Sequence, residues 1–543
     1  MRKLFLLLGG IVFIALTATA QRAVTGKVTD EKGTPLPNVS VIIKGTTSGT
    51  VTNSDGTYKI TVSVNAKTLI FSSVDMITIE LPIGTQSAIN ATLKAEDKSL
   101  SEVVVTGYGT VKKVNLTASV AKVGGEKFEN KPFTSLDQML QGAAAGLQAT
   151  SNTGQPGAVT PIRIRGIGSF DYARSSPLYV IDGVQINSGD LANGNDGGFS
   201  INPSTNVLAT LNSDDIESVT VLKDAAAISI YGSRGANGVI IITTKSGKAG
   251  KTQFKFDAEA GVNNVILPPT NGLPVRANDW FILLKEGLTN SGATPTSITN
   301  TMNSYGFGNG VDIDWFGEIT RPGSQQQYNL SASGGDAKTK FFFSGGYFKQ
   351  EGTTIGTDLK RYTANIRIAH NVNDKLSFNT KITVGDVVQN SALASNGPSG
   401  GGGYFGNPAY VSLVLRPTQN PYKADGSLNI ATDNLSFPAH YNPLFIAAND
   451  KRWLKAFSGF GNEIVEYKIA KGLKYTGTFG LQYNTEEEYQ YNNPFHGDAS
   501  GTATVGEGIS VYSRNFLWDL TNQLDYHYDI IKKKNFYVDL KAG

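Results

Sequence analysis

Beyond Leu16 this chain has no apolar run long enough to cross a bilayer as a helix. A spanning helix needs ~20 apolar residues, and the later runs, such as the four residues Val239 to Ile242 inside a strand-like segment, fall far short of that. If the mature chain meets a membrane, it must do so with strands closed into a barrel, whose backbone groups pair with one another. The one earlier apolar stretch, Leu4 to Leu16, follows Arg2 and Lys3 and precedes Ala18-Thr19-Ala20. A basic start, a short apolar core and small residues make a cleaved secretory leader over 1–20, with Gln21 as the mature start.

Composition agrees with strands and turns. The 543 residues include 61 glycines, above the usual share of about 7%, with 22 Tyr and 26 Phe. Lys+Arg number 48 against 45 Asp+Glu, a near-balance that argues against a nucleic-acid partner. There is no cysteine, which excludes disulfides, thiolate metal sites, thiol catalysis and a lipoprotein anchor. At about 100–200 residues per domain, the length predicts three or four domains.

Residues 22–96 read as a small β-sandwich. Val24 to Thr29, Val39 to Ile43, the alternating Tyr58, Ile60 and Val62, then Leu69 to Phe71, Ile77 to Leu81 and Ile89 to Leu93 supply short strands at roughly ten-residue spacing. Asn53-Ser54-Asp55-Gly56 predicts a hairpin. The stretch from Thr25 to Ile60 resembles the carboxypeptidase-regulatory-like domain found at the N-terminus of many outer-membrane receptors of Bacteroidetes. Despite that name no enzyme is expected. The four histidines, His370, His440, His496 and His527, all lie elsewhere, and no H-E-x-x-H string exists.

Glu102, Val103, Val104, Val105 and Thr106, followed by Gly107 and Gly109, form an extended linker within residues 99–114. On these residues alone an ordinary connecting strand suffices, although such a segment can also add to another protein's sheet edge. Residues 115–250 sharpen the reading. In order come Ser135 to Gly142, a short helix with Ser135 as cap, then Ile162-Arg163-Ile164-Arg165-Gly166, Pro177 to Val184 ending in an Asp-Gly turn, Asp214 to Asp224, whose acidic start caps the turn before it, and Tyr231-Gly232-Ser233-Arg234-Gly235-Ala236-Asn237-Gly238 before the strand Val239 to Thr244. This series resembles the plug domain of SusC-like TonB-dependent outer-membrane receptors. The resemblance implies that Glu102 to Thr106 is the TonB box, which pairs with the periplasmic domain of TonB. It also implies a SusD-like surface lipoprotein as lid and an oligosaccharide or peptide as cargo. A plug sits in a polar lumen, so Arg163, Arg165, Glu217 and Arg234 are expected to contact the barrel through charge-assisted hydrogen bonds. As surface charges of a soluble domain they would contribute only about 0–1 kcal/mol.

Residues 251–543 alternate as barrel strands do. Arg361, Thr363, Asn365 and Arg367 share one face and Tyr362, Ala364, Ile366 and Ile368 the other. Leu473, Tyr475, Phe479, Leu481 and Tyr483 alternate with Lys474, Thr476, Thr478 and Gln482; Trp518, Leu520, Leu524, Tyr526 and Tyr528 repeat the pattern. Short turns at Gly334-Gly335-Asp336 and Asn371 to Asp374 contrast with the long Gln389 to Arg452 stretch, as in outer-membrane barrels. Roughly nine strands are expected, against about 22 in the barrels of this family, so the chain reads as the N-terminal part of a longer protein. The fold class is mostly β: a sandwich, an α+β plug and the first part of a transmembrane antiparallel barrel embedded in outer-membrane lipid.

Chemical motifs fail on inspection. Gly250-Lys251-Thr252 lacks the leading glycine of a P-loop, and Asp312-Ile313-Asp314 with Gly317 lacks the later ligands of a calcium loop. Asp190 to Gly198 reads as a loop. No catalytic residue, metal or cofactor is expected. The expected activity is TonB-dependent import of a large nutrient. The rivals are a receptor for an iron chelate or cobalamin, a surface protein that binds without transporting, and a secreted glycan hydrolase whose carboxylate pair is not found.

Overall fold

The computed structural model describes residues 21–46, 48–63, 66–73, 76–94, 103–106, 109–112, 120–129, 131, 133–151, 154–168, 176–186, 207–266, 274–391, 408–430, 441–497, 499, 505–531 and 536–542. The leader, Glu102, Gly107 and the Asp190 to Gly198 loop lie outside them. The chain divides into two compact units.

The first unit is the sandwich. Its strands are β1 (Gln21–Thr29), β2 (Ser40–Ile43), β3 (Gly49–Val51), β4 (Thr57–Ser63), β5 (Thr68–Ser72), β6 (Ile79–Pro82) and β7 (Ala91–Thr92). They form two sheets, ordered β4-β1-β7 and β3-β2-β5-β6. Alternation does the work: Tyr58, Ile60 and Val62 all turn inward, joining Val24, Val28, Val41, Leu69 and Phe71 in one core. The Tyr58 hydroxyl donates to the Ile89 carbonyl at 2.8 Å. One expectation is corrected. The Asn53–Gly56 turn does form, with Asn53 N donating to the Thr57 carbonyl at 2.8 Å. The strands it joins, however, belong to different sheets. The turn chemistry fixes the local reversal, while the partners of β3 and β4 are chosen by the core.

The second unit holds the plug and the wall. A two-stranded piece, β8 (Val103–Thr106) with β9 (Gly109–Lys112), falls at the division of the chain and belongs wholly to neither unit. The plug strands are β10 (Val120–Gly124), β11 (Leu147–Ala149), β12 (Ile162–Ile164), β13 (Leu178–Ile181), β14 (Val184–Ile186), β15 (Ile216–Leu222) and β16 (Val239–Thr244), with short helices α1 (Leu136–Met139) and α2 (Ala225–Ile228). Five strands make a mixed sheet ordered β10-β15-β16-β13-β14, and β11 pairs with β12. Val219, Val221, Ile240 and Ile242 fill the core on one face of that sheet. Val180, Leu222, Val239 and Ile241 pack on the other.

The wall is a nine-stranded antiparallel sheet in sequence order: β17 (Gly250–Asn263), β18 (Gly323–Gly335), β19 (Thr339–Glu351), β20 (Asp358–Asn371), β21 (Leu376–Asn390), β22 (Lys451–Ala470), β23 (Leu473–Asn492), β24 (Glu507–Ile531) and β25 (Phe536–Ala542). Its burial is inverted relative to a soluble sheet. On β20, Arg361 and Arg367 are 3% and 2% exposed, while Tyr362 and Ile366 are 51% and 37% exposed. On β23 the buried side chains are Gln482, Asn484, Glu486, Glu488, Gln490 and Asn492. On β24, Phe516, Trp518, Leu520 and Leu524 point out. A sheet in water would bury the apolar face, so this one is built for lipid outside and polar contents inside.

Tight turns close one end of the wall, at 336–338, 372–375 and 471–472; long connections, 264–322, 391–450 and 493–506, gather at the other. The long ones carry α3 (Ala277–Asn290), α4 (Pro295–Ser304), α5 (Trp315–Ile319), α6 (Pro408–Val414) and α7 (Pro443–Asn449). The Asp312 to Gly317 string serves these helices. Asp312 accepts from Ala277 N at 2.9 Å and pairs with Arg276, and Asp314 caps α5 by accepting from Gly317 N at 3.0 Å. The connections are tied together: Trp315 Nε1 donates to the Arg416 carbonyl at 2.9 Å, and Asn442 N donates to His496 Nε2 at 2.7 Å.

Candidate functional site

The site is the contact between plug and wall. It starts at a turn. Asp182 and Gly183 have φ of 52° and 95° and join β13 to β14 with Ile181 opposite Val184. Positive φ at both central residues is the tight reversal that a twisted hairpin favours, and aspartate followed by glycine tolerates it. The turn aims the Asp182 carboxylate at β20 and β21. Arg367 Nη2 lies 3.0 Å from Oδ2 and Lys381 Nζ 3.2 Å from Oδ1. Thr244 Oγ1 donates to the same carboxylate at 2.6 Å and accepts from Arg367 Nε at 2.7 Å. Asn462 on β22 donates its side-chain amide to the Asp182 carbonyl. Burial alone would raise the Asp182 pKa; Lys381 and Arg367 outweigh it and hold the carboxyl below the ordinary range.

A second cluster lies between Asn212 and β18 to β20. Here the sequence expectation is corrected: the turn Ser213–Asp215 is capped by Asn212, whose side chain accepts from Asp214 N at 3.2 Å. Both aspartates face the wall instead. Asp214 accepts from Gln327 at 3.0 Å and from Asn329, and Asp215 accepts from Asn365. Burial pushes the Asp215 carboxyl up to about 6. Arg361 donates to the Thr134 carbonyl at 2.7 Å and the Ala209 carbonyl at 3.2 Å. The approach is close throughout: a Cβ on Gly385 of β21 would stand 2.2 Å from the Thr210 carbonyl oxygen.

The charges singled out in the sequence sit as follows. Arg163 is buried on β12 and donates to the Ile162 carbonyl at 3.0 Å. Arg165 pairs with Asp224 at 2.5 Å within the plug. Arg234 donates to Gln185 at 3.2 Å, also within the plug. Glu217 is exposed on β15. Ser135 stands at the cap position of α1, but its hydroxyl donates to Asp137 rather than accepting from the helix. Val103 to Thr106 run as strand β8, and Glu102 is outside the described residues. The wall partners Arg361, Asn365 and Arg367 are on the polar face that alternation assigns. The plug acids that meet the wall, Asp182, Asp214 and Asp215, carry only turn signals in the sequence.

Chemically the site is a set of reversible charge and amide contacts. Among the described residues no cluster of three or more His, Asp or Glu suits a metal ion.

Residues 112–239 match the TonB-dependent Receptor Plug Domain family, and residues 24–105 match the CarboxypepD_reg-like domain. TonB-dependent receptor P39 of Formosa agariphila is 34% identical over 514 residues, covering 93% of this chain and 45% of that protein. TonB-dependent receptor SusC of Bacteroides thetaiotaomicron is 32% identical over 536 residues, covering 92% and 48%. The RagAB peptide importer in its open-open state superposes with a TM-score of 0.63 at 26% identity, covering 79% of this chain and 47% of that one. The chain thus spans about half the length of the curated relatives it matches. Its plug and N-terminal domain, with the likeness across both and on through the wall, are similar to those of the SusC-like TonB-dependent receptors over the half of their length that it spans.

Proposed function

We propose that this chain serves TonB-dependent import of a large nutrient, an oligosaccharide or a peptide, across the bacterial outer membrane. The observation that carries this is the inverted wall, apolar outside and polar within, with a folded plug held on its polar face by buried charges. Tight turns would face the periplasm and long connections the outside. Glu102 to Thr106 would add as a strand to the periplasmic domain of TonB, and a pull there would break contacts that are individually reversible. Arg165 and Arg234 brace the plug internally, Arg163 lies buried on its β11–β12 hairpin, and Glu217 stays exposed. A SusD-like lipoprotein would cover the long connections. No covalent step is involved.

Replacing Val104 by Pro removes a strand donor. In the cell's own outer membrane, uptake of the oligosaccharide or peptide mixture that supports growth should then fall to background while receptor abundance is unchanged. Unaltered uptake would overturn the reading.

A further inference from the structure

The long connections leave a cavity of about 310 Å³ at the rim of the wall. Asp358 opens β20 there, Asn390 ends β21, Ile446 and Ala447 come from α7, and Asp450 and Trp453 flank the start of β22. Two carboxylates share this space, and each is only half used. Asp358 Oδ2 accepts from Asn390 at 2.9 Å. Asp450 Oδ1 accepts from the backbone N and the side-chain amide of Asn493, at 3.0 and 2.6 Å. Among the described residues the second oxygen of each has no hydrogen bond, and neither acid is in an ion pair. Of the cations in the lining, Arg452 donates to Asn492 at 3.3 Å and bears on Asp450 through its charge without a hydrogen bond to it, and Lys451 is exposed. Burial pushes the Asp450 carboxyl up despite the Asn493 hydrogen bonds and the charge of Arg452, and a further cation entering the cavity would lower it.

The volume is too large for a bare metal ion, since one water takes about 30 Å³. It fits one amino-acid or sugar unit, with Ile446, Ala447 and Trp453 beside its carbon skeleton. We propose that this cavity is a subsite for a primary ammonium group carried on one unit of the imported ligand. The proposal rests on the import reading above and narrows its substrate. A peptide amino terminus and an amino sugar share this chemistry. The cavity also touches the plug. Ser391 in its lining donates to Gln155 of the plug at 3.2 Å, so an occupant stands one side chain from the element that must move.

The test is calorimetric titration of the purified intact receptor with alanyl-alanine and with glucosamine, each beside its N-acetylated form. Binding of either amine, at least about tenfold tighter than its acetylated form, is expected, and which amine binds identifies the source. Asp358→Asn and Asp450→Asn should each weaken that binding about tenfold. Asp450→Asn could also loosen the Asn493 contact; Asp358→Asn keeps its Asn390 partner and removes only the charge. Equal binding of acetylated probes, binding unaffected by Asp358→Asn, or no binding of either amine overturns the proposal. If uptake still depends on residues 102–106 in that event, the import reading stands and only the subsite falls.

Discussion

Asp182 and Arg367, 185 residues apart in sequence, meet at 3.0 Å with both side chains almost wholly buried. Keeping such a pair adds little stability over an apolar one, but removing one partner strands the other and costs about 3–5 kcal/mol. Asp182→Ala leaves Arg367 and Lys381 facing each other across an empty turn. The plug should loosen, seen as raised conductance of receptor-containing bilayers. Adding Arg367→Gln should recover part of the loss, and a double-mutant cycle with zero coupling would show that the pair does not hold the plug.

Asp215 gives a pH dependence of known sign. Its folded pKa, about 6, lies above the ordinary 3.8. Between those values the folded plug binds a proton that the unfolded one has lost, so stability falls as pH rises through that window and stays lower above it. Asp215→Asn keeps an acceptor for Asn365 and removes the charge. It should raise stability at pH 7 by roughly 1–3 kcal/mol and flatten the pH profile between 4 and 6. A variant melting with the wild-type pH profile would refute this.

Gly385 tests the closeness of plug and wall. Its missing Cβ would meet the Thr210 carbonyl oxygen at 2.2 Å and the Thr210 Cβ at 2.8 Å. Gly385→Ala must push backbone aside, a strain of about 1–3 kcal/mol. Thermal melting of the detergent-solubilised receptor should show a lower midpoint, whereas Ala at Gly261, which has open space, should show none. Equal midpoints for the two variants would contradict the contact.

His496 should make the long connections acid-sensitive. Its Nε2 accepts from Asn442 N, which only the neutral ring can do, and burial pushes its pKa down to about 4. The tie is at full strength above the ordinary value of 6.5 and weakens as pH falls from there toward 4, by up to about 3 kcal/mol. Limited proteolysis of 493–506 should quicken between pH 7 and pH 5 in the wild type but not in His496→Gln, which keeps an acceptor and cannot titrate. The same acceleration in both would remove His496 from the account.

The wall was legible because its signal is local. Strict alternation from Arg361 to Ile368 names both faces without knowledge of any neighbour. The plug's partners were not. Whether Asp182 meets Arg367 depends on the register of β20, where a slip of one residue would turn Arg367 toward lipid, and no local pattern encodes that. Asp214 and Asp215 carry the marks of a cap in the sequence; only the fold shows that Asn212 takes that role and frees them for β18 and β20. The Asn53–Gly56 turn is the same lesson in the sandwich: a four-residue string sets a reversal but cannot choose between two sheets.

Strand β8 already has a neighbour, β9, three residues on. Holding Val103 to Thr106 extended removes backbone freedom that a loose segment would lose on docking, about 1–2 kcal/mol for each residue. A strand that adds to the outer edge of β8 meets a splint, and one that replaces β9 meets a competitor. Deleting Gly109 to Lys112 therefore has opposite consequences for the two cases: weaker binding of the incoming strand in the first, tighter in the second.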